Sequence, residues 1–152
     1  MGHRSPSGGG WRGNRIKELK IKNEKLKILW LRISFLTGAI IDGLAGIQMF
    51  VIAASGTTLG LSQLKPGVPY RFAMAFGAAL MLGWAGVLIW AWKKPVERKG
   101  VLLIVIPVVL GLIGSEVGAV IFHFLSLREA APIWILQLVL IALFSCSYWK
   151  AR

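Results

Sequence analysis

The sequence is poor in the side chains on which most protein chemistry depends. Its 152 residues include one cysteine, two histidines and six acidic residues. A single cysteine excludes a domain held together by internal disulfides. The sequence also lacks the spaced motifs of disulfide exchange, zinc proteases, serine hydrolases and phosphate-binding loops. We therefore expect no enzyme, no cofactor and no metal centre.

The chain is instead rich in apolar side chains and positive charge. Hydrophobic residues make up 56% of the sequence, the mean hydropathy is +0.68 and the formal net charge is +12. Charged residues account for 16% of the sequence, against about 25% in a typical soluble domain. This hydrophobicity excludes a chain that is disordered throughout. It predicts an integral membrane protein whose basic residues lie outside the bilayer.

Four long apolar segments predict the fold. They cover residues 28–54, 72–92, 101–125 and 133–149, and each is close to or above the ~20 residues that cross a bilayer as a helix. Backbone groups in lipid must pair within their own segment, so each segment is predicted to be helical. Residues 93–100 and 126–132 make short connections. The expected fold is therefore an all-α, integral membrane four-helix bundle with up-down-up-down topology.

The first 27 residues predict a basic tail in front of this bundle. Residues 1–13 are rich in Gly, Ser and Arg and predict a flexible segment. Residues 14–27 place Ile16, Leu19 and Leu26 near one face of a short basic amphipathic helix, which is typical of an anionic membrane surface. The chain thus divides into a cytoplasmic tail (1–27) and a four-helix membrane domain (28–152). The side chains expected to contact lipid or an acidic partner are Arg12, Arg15, Lys17, Lys20, Lys22, Lys25 and Lys27.

The distribution of basic residues predicts the orientation of the chain. Of the 18 Lys and Arg residues, all but Lys65, Arg71 and Arg128 would lie on the side that holds both termini. Because Lys and Arg accumulate on the cytoplasmic side, we expect both termini in the cytoplasm, and the inner or plasma membrane if the chain is prokaryotic. The tail contains one aromatic residue, Trp11, and offers no stacking platform, so no nucleic-acid partner is expected.

Asp42 is the sharpest candidate for a functional side chain. It lies ten residues beyond Arg32 in the first segment, which is about 15 Å along a helix and near the middle of the bilayer. A carboxylate at that depth costs about 2.5–3.5 kcal/mol and rarely faces lipid. Two interpretations stay open, namely a proton or cation site and an interhelical hydrogen bond that holds the bundle together.

Four further polar residues in the apolar segments are candidates. Glu116 and His123 are seven residues apart, near one face of a helix. They suit a proton relay, whereas the alternatives are an interhelical contact for Glu116 and an interface residue that reaches water for His123. Two ligands on one helix are too few for a defined metal site. For Gln48 and Gln137, interhelical hydrogen bonds that support packing are expected.

Glycines in the apolar segments predict close packing of the helices, because glycine lets the backbones of neighbouring membrane helices come close together. The glycines expected to serve helix packing are Gly38, Gly46, Gly77, Gly111, Gly114 and Gly118. The absent chemistry and these glycines favour a non-enzymatic structural or accessory subunit that packs in a homo-oligomer or a larger membrane complex. Its expected partners are membrane lipid and other membrane subunits or a second copy. The alternative is a small oligomeric proton- or cation-coupled transporter or channel that uses Asp42 and Glu116.

Overall fold

Four α-helices make up the described fold. A computed structural model of the chain describes residues 9–56, 67–123 and 125–151, and for residues 9–13 the backbone alone. The helices are α1 (Gly9–Ser55), α2 (Val68–Lys93), α3 (Gly100–Ile121) and α4 (Leu127–Lys150). Each helix is long and apolar enough to cross a membrane. The predicted all-α class, with four helices long and apolar enough to cross a membrane, is therefore confirmed for the described residues.

Helix α1 extends well beyond the predicted first segment. It contains 47 residues, or about 70 Å of helix, whereas a bilayer core is ~30 Å thick. No proline or glycine occurs between Asn14 and Ile33 to interrupt it. The basic segment 14–27 is thus continuous with the apolar part of α1 and does not form a separate short helix. Residues 9–13 of the predicted flexible tail begin α1, and residues 1–8 lie outside the described residues.

Local sequence signals determine where α1 ends and where α2 begins. Gly56 has a φ of 69° and its N–H donates to the carbonyl of Ile52 at 2.9 Å. Glycine adopts this left-handed cap without strain, which ends α1. Helix α2 begins at Val68 instead of the predicted Phe72, with Pro69 in its first turn. A proline there loses no helical hydrogen bond and favours the helix start.

The boundary between α3 and α4 also differs from the prediction. Helix α3 ends at Ile121 instead of Leu125, because His123 has a φ of 59°, a left-handed conformation in which histidine is over-represented among non-glycine residues. Helix α4 begins at Leu127 instead of Ile133, because Ser126 and Glu129 form a capping box. The Ser-x-x-Glu pattern is visible in the sequence and marks this start.

The buried core lies in one half of the length of each of the four helices. Helix α1 packs along α2, α3 packs along α4, and α4 also contacts α1. One cluster of buried side chains joins all four helices, and its members are Leu31, Phe35, Ala39, Leu88, Ala91, Leu102, Val105, Val109, Leu140 and Phe144. The parts of the helices that contribute to this cluster are termed the core half. The remaining parts, α1 after Asp42, α2 before Trp84, α3 after Leu112 and α4 before Leu140, are termed the open half.

Candidate functional site

Asp42 lies in the wall of a cavity at the border between the core half and the open half. The cavity has a volume of about 330 Å³. Helix α2 lines it with Leu80, Met81 and Trp84, and α3 lines it with Val105, Val108, Val109 and Leu112. Asp42 from α1 is therefore the one ionisable side chain among apolar and aromatic neighbours.

The Asp42 carboxylate has no protein partner in the part of the chain that the structure describes. Its side chain is half-buried, and neither a hydrogen bond nor an ion pair reaches it from the described residues. The interhelical hydrogen bond considered for Asp42 is thus not made within these residues. A carboxylate in an apolar wall without a partner is energetically unfavourable, which makes it receptive to a cation or a proton.

Trp84 carries a second polar atom without a partner in the same wall. Its indole Nε1 is buried and lacks a hydrogen-bond partner among the described residues. A buried indole N–H normally finds an acceptor. Asp42 and Trp84 thus both line the cavity, and neither the carboxylate nor the buried indole N–H has a partner among the described residues.

Glu116 and Gln137 are brought together across α3 and α4. The Gln137 Nε2 atom donates to Glu116 Oε1 at 2.8 Å, and Gln137 is buried. The other two oxygens, Glu116 Oε2 and Gln137 Oε1, are buried without a partner among the described residues. The pair thus joins two helices and leaves two buried oxygens without a partner among the described residues.

His123 and Gln48 lie apart from these groups. His123 follows the end of α3 at Ile121 and is exposed, so it does not share a helical face with Glu116. This contradicts the stacked arrangement required for a relay along α3, since that arrangement needed the helix to continue to His123. Gln48 is also exposed, and no hydrogen bond from its amide to another described residue is present.

Two serines form a polar contact that the sequence analysis missed. Ser34 of α1 and Ser147 of α4 are fully buried, and their hydroxyl oxygens are 2.6 Å apart. Ser147 Oγ also lies 3.5 Å from the Trp30 carbonyl oxygen, to which it donates. Serine is common in loops and helices alike, so its sequence position gave no signal; the contact depends on which helices pack together.

The six glycines fall into two groups. A Cβ built on Gly46 would lie 2.8 Å from Leu82 Cγ, one on Gly38 would lie 3.0 Å from Leu88 Cδ1, and one on Gly77 would lie 3.2 Å from Met49 Sδ. These three glycines therefore let α1 and α2 approach closely. A Cβ built on Gly111, Gly114 or Gly118 of α3 would meet nothing within 4 Å. The α3 glycines thus pack against no other described part of the chain.

The basic part of α1 presents its charges to solvent. Arg15, Lys17, Lys20, Lys22 and Lys25 are exposed, and Lys27 is half-buried. Lys27 forms an ion pair with Glu24 at 3.4 Å. Arg12, the remaining residue of the predicted basic surface, lies outside the residues whose side chains are described. The apolar residues of this segment, Ile16, Leu19 and Leu26, are also exposed, so the segment has no packing partner among the described residues.

Cations and aromatic rings gather where the helices of the core half end. Lys150 Nζ lies 4.1 Å from the Trp30 ring centre and Arg98 lies 3.6 Å from the Trp90 ring centre. Lys99 Nζ donates to the Ala151 carbonyl at 3.0 Å. Aromatic and basic residues are the usual anchors of a membrane–water interface.

Metal-ligating side chains are not clustered in the part of the chain that the structure describes. Within residues 9–56, 67–123 and 125–151, no group of three or more His, Cys, Asp or Glu side chains is placed to hold a metal ion. The chain matches no protein-family model, no curated protein and no solved structure. Two features of the molecule itself therefore carry the functional argument: the cavity beside Asp42 and the open glycine face of α3.

Proposed function

We propose that the protein is a non-enzymatic membrane subunit that assembles, with further copies of itself or within a larger membrane complex, through the glycine face of α3. This face consists of Gly111, Gly114 and Gly118. The observation that carries the proposal is the open space at all three glycines, since a Cβ on any of them would have no neighbour within 4 Å.

The glycine face points away from the interior of the chain. Gly114 follows Val105 by nine residues and Gly118 follows Val109 by nine residues, which at about 100° per residue is the opposite side of the helix. Val105 and Val109 are buried in the core cluster. The sequence Gly114-Ser-Glu-Val-Gly118 is the spacing at which two membrane helices approach most closely.

Membrane helices need such a surface because apolar side chains gain little by leaving lipid. Association depends on close backbone approach and van der Waals contact. A glycine in the middle of a helix lowers helix stability by about 1 kcal/mol relative to alanine. Three glycines with no intrachain contact therefore have a packing rationale only if another helix lies against them.

The orientation belongs to the same proposal. We propose that the helices cross the membrane up-down-up-down with both termini in the cytoplasm, and that the basic segment 14–27 binds anionic lipid or an acidic partner. The excess of Lys and Arg on that side supports this orientation. The contacts of Lys150 with Trp30 and of Lys99 with Ala151 support placing these helix ends at one interface.

Disulfide cross-linking in native membranes tests the assembly. Cys146 is the sole cysteine, so a C146S background allows one cysteine to be introduced at a time. Oxidation of G114C/C146S is expected to join the introduced thiols of two copies in a disulfide and to give a species of twice the monomer mass. The matched control is G86C/C146S, because Gly86 of α2 is equally open but has no glycine four residues away.

A second experiment places a large side chain on the glycine face to block the approach of another helix. G114L and G118L are expected to reduce the assembled fraction seen by native mass spectrometry from nanodiscs, while G86L leaves it unchanged. Cross-linking that is equal at positions 114 and 86, or a chain that stays monomeric in its native membrane, would contradict the proposal.

A second candidate function is proton- or cation-coupled transport that uses Asp42 and Glu116. The observation that favours it is the unpaired Asp42 carboxylate in the cavity wall. In proteoliposomes that contain a pH-sensitive dye, D42N and E116Q would then lower proton uptake driven by a membrane potential, and Q48L would serve as the control. Uptake that is unchanged in both carboxylate variants would exclude this function.

A further inference from the structure

We infer that the cavity beside Asp42 is a binding site for a small amphipathic amine, that is, an apolar aryl or alkyl group that carries a protonated nitrogen. The inference goes beyond the assembly proposed above and is independent of it. The cavity is lined by Val105 and Val109 of α3. These residues lie on the opposite side of α3 from Gly114 and Gly118, so the two sites do not overlap there.

The size of the cavity suits a ring with a short side chain. Its volume is about 330 Å³. An apolar protein cavity of roughly 150 Å³ accommodates benzene, and ligand pockets usually begin near 300 Å³. The cavity beside Asp42 therefore has room for one aromatic ring and a chain of a few atoms.

The chemistry of the wall selects the charge of the ligand. Apart from Asp42 and the indole of Trp84, the lining consists of aliphatic or thioether side chains. An apolar body fits these walls, but it leaves the carboxylate without a partner. A protonated nitrogen on the same molecule would pair with the carboxylate and remove the unfavourable isolated charge. A neutral molecule can donate a hydrogen bond to the carboxylate but does not offset its charge, and an anionic molecule is repelled by it.

The surrounding helices supply no cation of their own. On α1 the nearest basic residue before Asp42 is Arg32, ten residues away and about 15 Å along the helix. The Arg32 guanidinium lies 5.8 Å from the centre of the Trp92 ring. A lipid acyl chain would fill the apolar part of the cavity but would leave Asp42 unpaired. The amine is the ligand that satisfies both parts of the wall.

The test compares two probes that differ in one functional group. The full-length protein in phosphatidylcholine nanodiscs is titrated with 2-phenylethylamine and with 2-phenylethanol by isothermal calorimetry, and the heats of empty nanodiscs are subtracted. Both probes can donate a hydrogen bond to Asp42, but only the ammonium group also carries the opposite charge, and this charge is worth about a factor of ten in affinity. We expect wild-type protein to bind the amine about tenfold more tightly than the alcohol.

Three variants assign this preference to the cavity. D42N keeps the shape of the side chain and removes its charge, so the preference for the amine should disappear. E116Q removes the other intramembrane carboxylate and should retain the preference. V108W fills the cavity from a position that is 41% exposed, and it should weaken the binding of both probes without disturbing the buried core.

Several outcomes would overturn the inference: no amine binding by wild-type protein, equal affinity for both probes, or an unchanged preference in D42N. Native mass spectrometry of the same nanodiscs reports the assembly separately. A failure of the binding site is therefore distinguishable from a failure of the proposed assembly.

Discussion

The core half and the open half of the molecule contain similar residues but hold their helices together differently. In the core half, Phe35 and Phe144 are 0% and 1% exposed. In the open half, Phe72 and Phe76 are 74% and 62% exposed. Because lipid is as apolar as phenylalanine, hydrophobicity does not draw such side chains inward, and only close packing fixes them.

This difference explains where the candidate sites lie. The core cluster joins all four helices, and its members Val105 and Val109 form part of the cavity wall at its border. In the open half, the contacts of Gly46 with Leu82 and of Glu116 with Gln137 hold α1 to α2 and α3 to α4. The cavity beside Asp42 opens where these two pairs part, so a loosely packed region provides the room that ligand binding requires.

The largest effect is expected from breaking the core half. Phe35→Ala removes a fully buried ring that belongs to the four-helix cluster. The resulting cavity should lower the free energy of unfolding by about 3 kcal/mol. Phe76→Ala is the matched control, since its ring is largely exposed, and it should change stability by less than about 0.5 kcal/mol. Unfolding in mixed micelles by added dodecyl sulfate, followed by tryptophan fluorescence, measures both values.

A result in which the two phenylalanine variants are equally destabilised would remove the distinction between the halves. It would mean that the ring of Phe76 is covered by another chain or another part of this chain. Repeating the titration at several protein concentrations separates these cases, because destabilisation through lost assembly depends on concentration.

A smaller effect is expected from adding a single methyl group to the helix pairs. In Gly46→Ala the new Cβ would lie 2.8 Å from Leu82 Cγ and 3.2 Å from the Leu82 backbone nitrogen. Because the backbone has to move, we expect a loss of about 2 kcal/mol.

Gly86→Ala is the control for this comparison, since a Cβ on Gly86 of α2 meets nothing within 4 Å and Gly86 lies outside the proposed glycine face. Alanine is the better helix former, so the variant should gain about 0.5–1 kcal/mol. The same dodecyl sulfate titration compares the two variants. If Gly46→Ala is as stable as the wild type, α1 and α2 do not approach each other closely at Gly46 and Leu82.

The sequence predicts the helices far better than it predicts their contacts. Length and hydropathy suffice for the number and class of the helices, because a helix in lipid has no other way to satisfy its backbone. The boundaries fail where a local signal acts against the hydropathy pattern. The Ser126–Glu129 capping box starts α4 early, and the left-handed conformation at His123 ends α3 early.

The site could be predicted only in part for a related reason. Depth along a helix follows from residue counting, and this singles out Asp42. Which helices face Asp42 depends on tertiary packing, which leaves no pattern in the sequence. The same applies to the Ser34–Ser147 contact, where the two residues are 113 positions apart. The contact of Glu116 with Gln137 was likewise not derivable, although both residues were candidates.

Breaking the polar link of the open half should have a moderate effect. Gln137→Leu removes the donor to Glu116 Oε1 and leaves a carboxyl group with both oxygens unpartnered, so we expect a loss of about 1.5 kcal/mol. The double variant E116L/Q137L removes both polar groups and should be more stable than Gln137→Leu alone. If Gln137→Leu is as stable as the wild type in the dodecyl sulfate titration, the link contributes nothing to holding α3 against α4.

The smallest effect is expected from the corresponding link of the core half. Ser34 and Ser147 are buried in well-packed surroundings, where the neighbouring side chains already hold α1 against α4. A cycle of S34A, S147A and S34A/S147A should therefore give a coupling energy of about 0.6 kcal/mol, the average for such bonds in membrane proteins. The Glu116–Gln137 cycle should give a larger value because fewer packing contacts support it. If the serine pair couples more strongly than the Glu116–Gln137 pair, polar bonds contribute more than packing to holding the core half together. In that case the difference in packing between the two halves would not explain why the cavity opens beside Asp42.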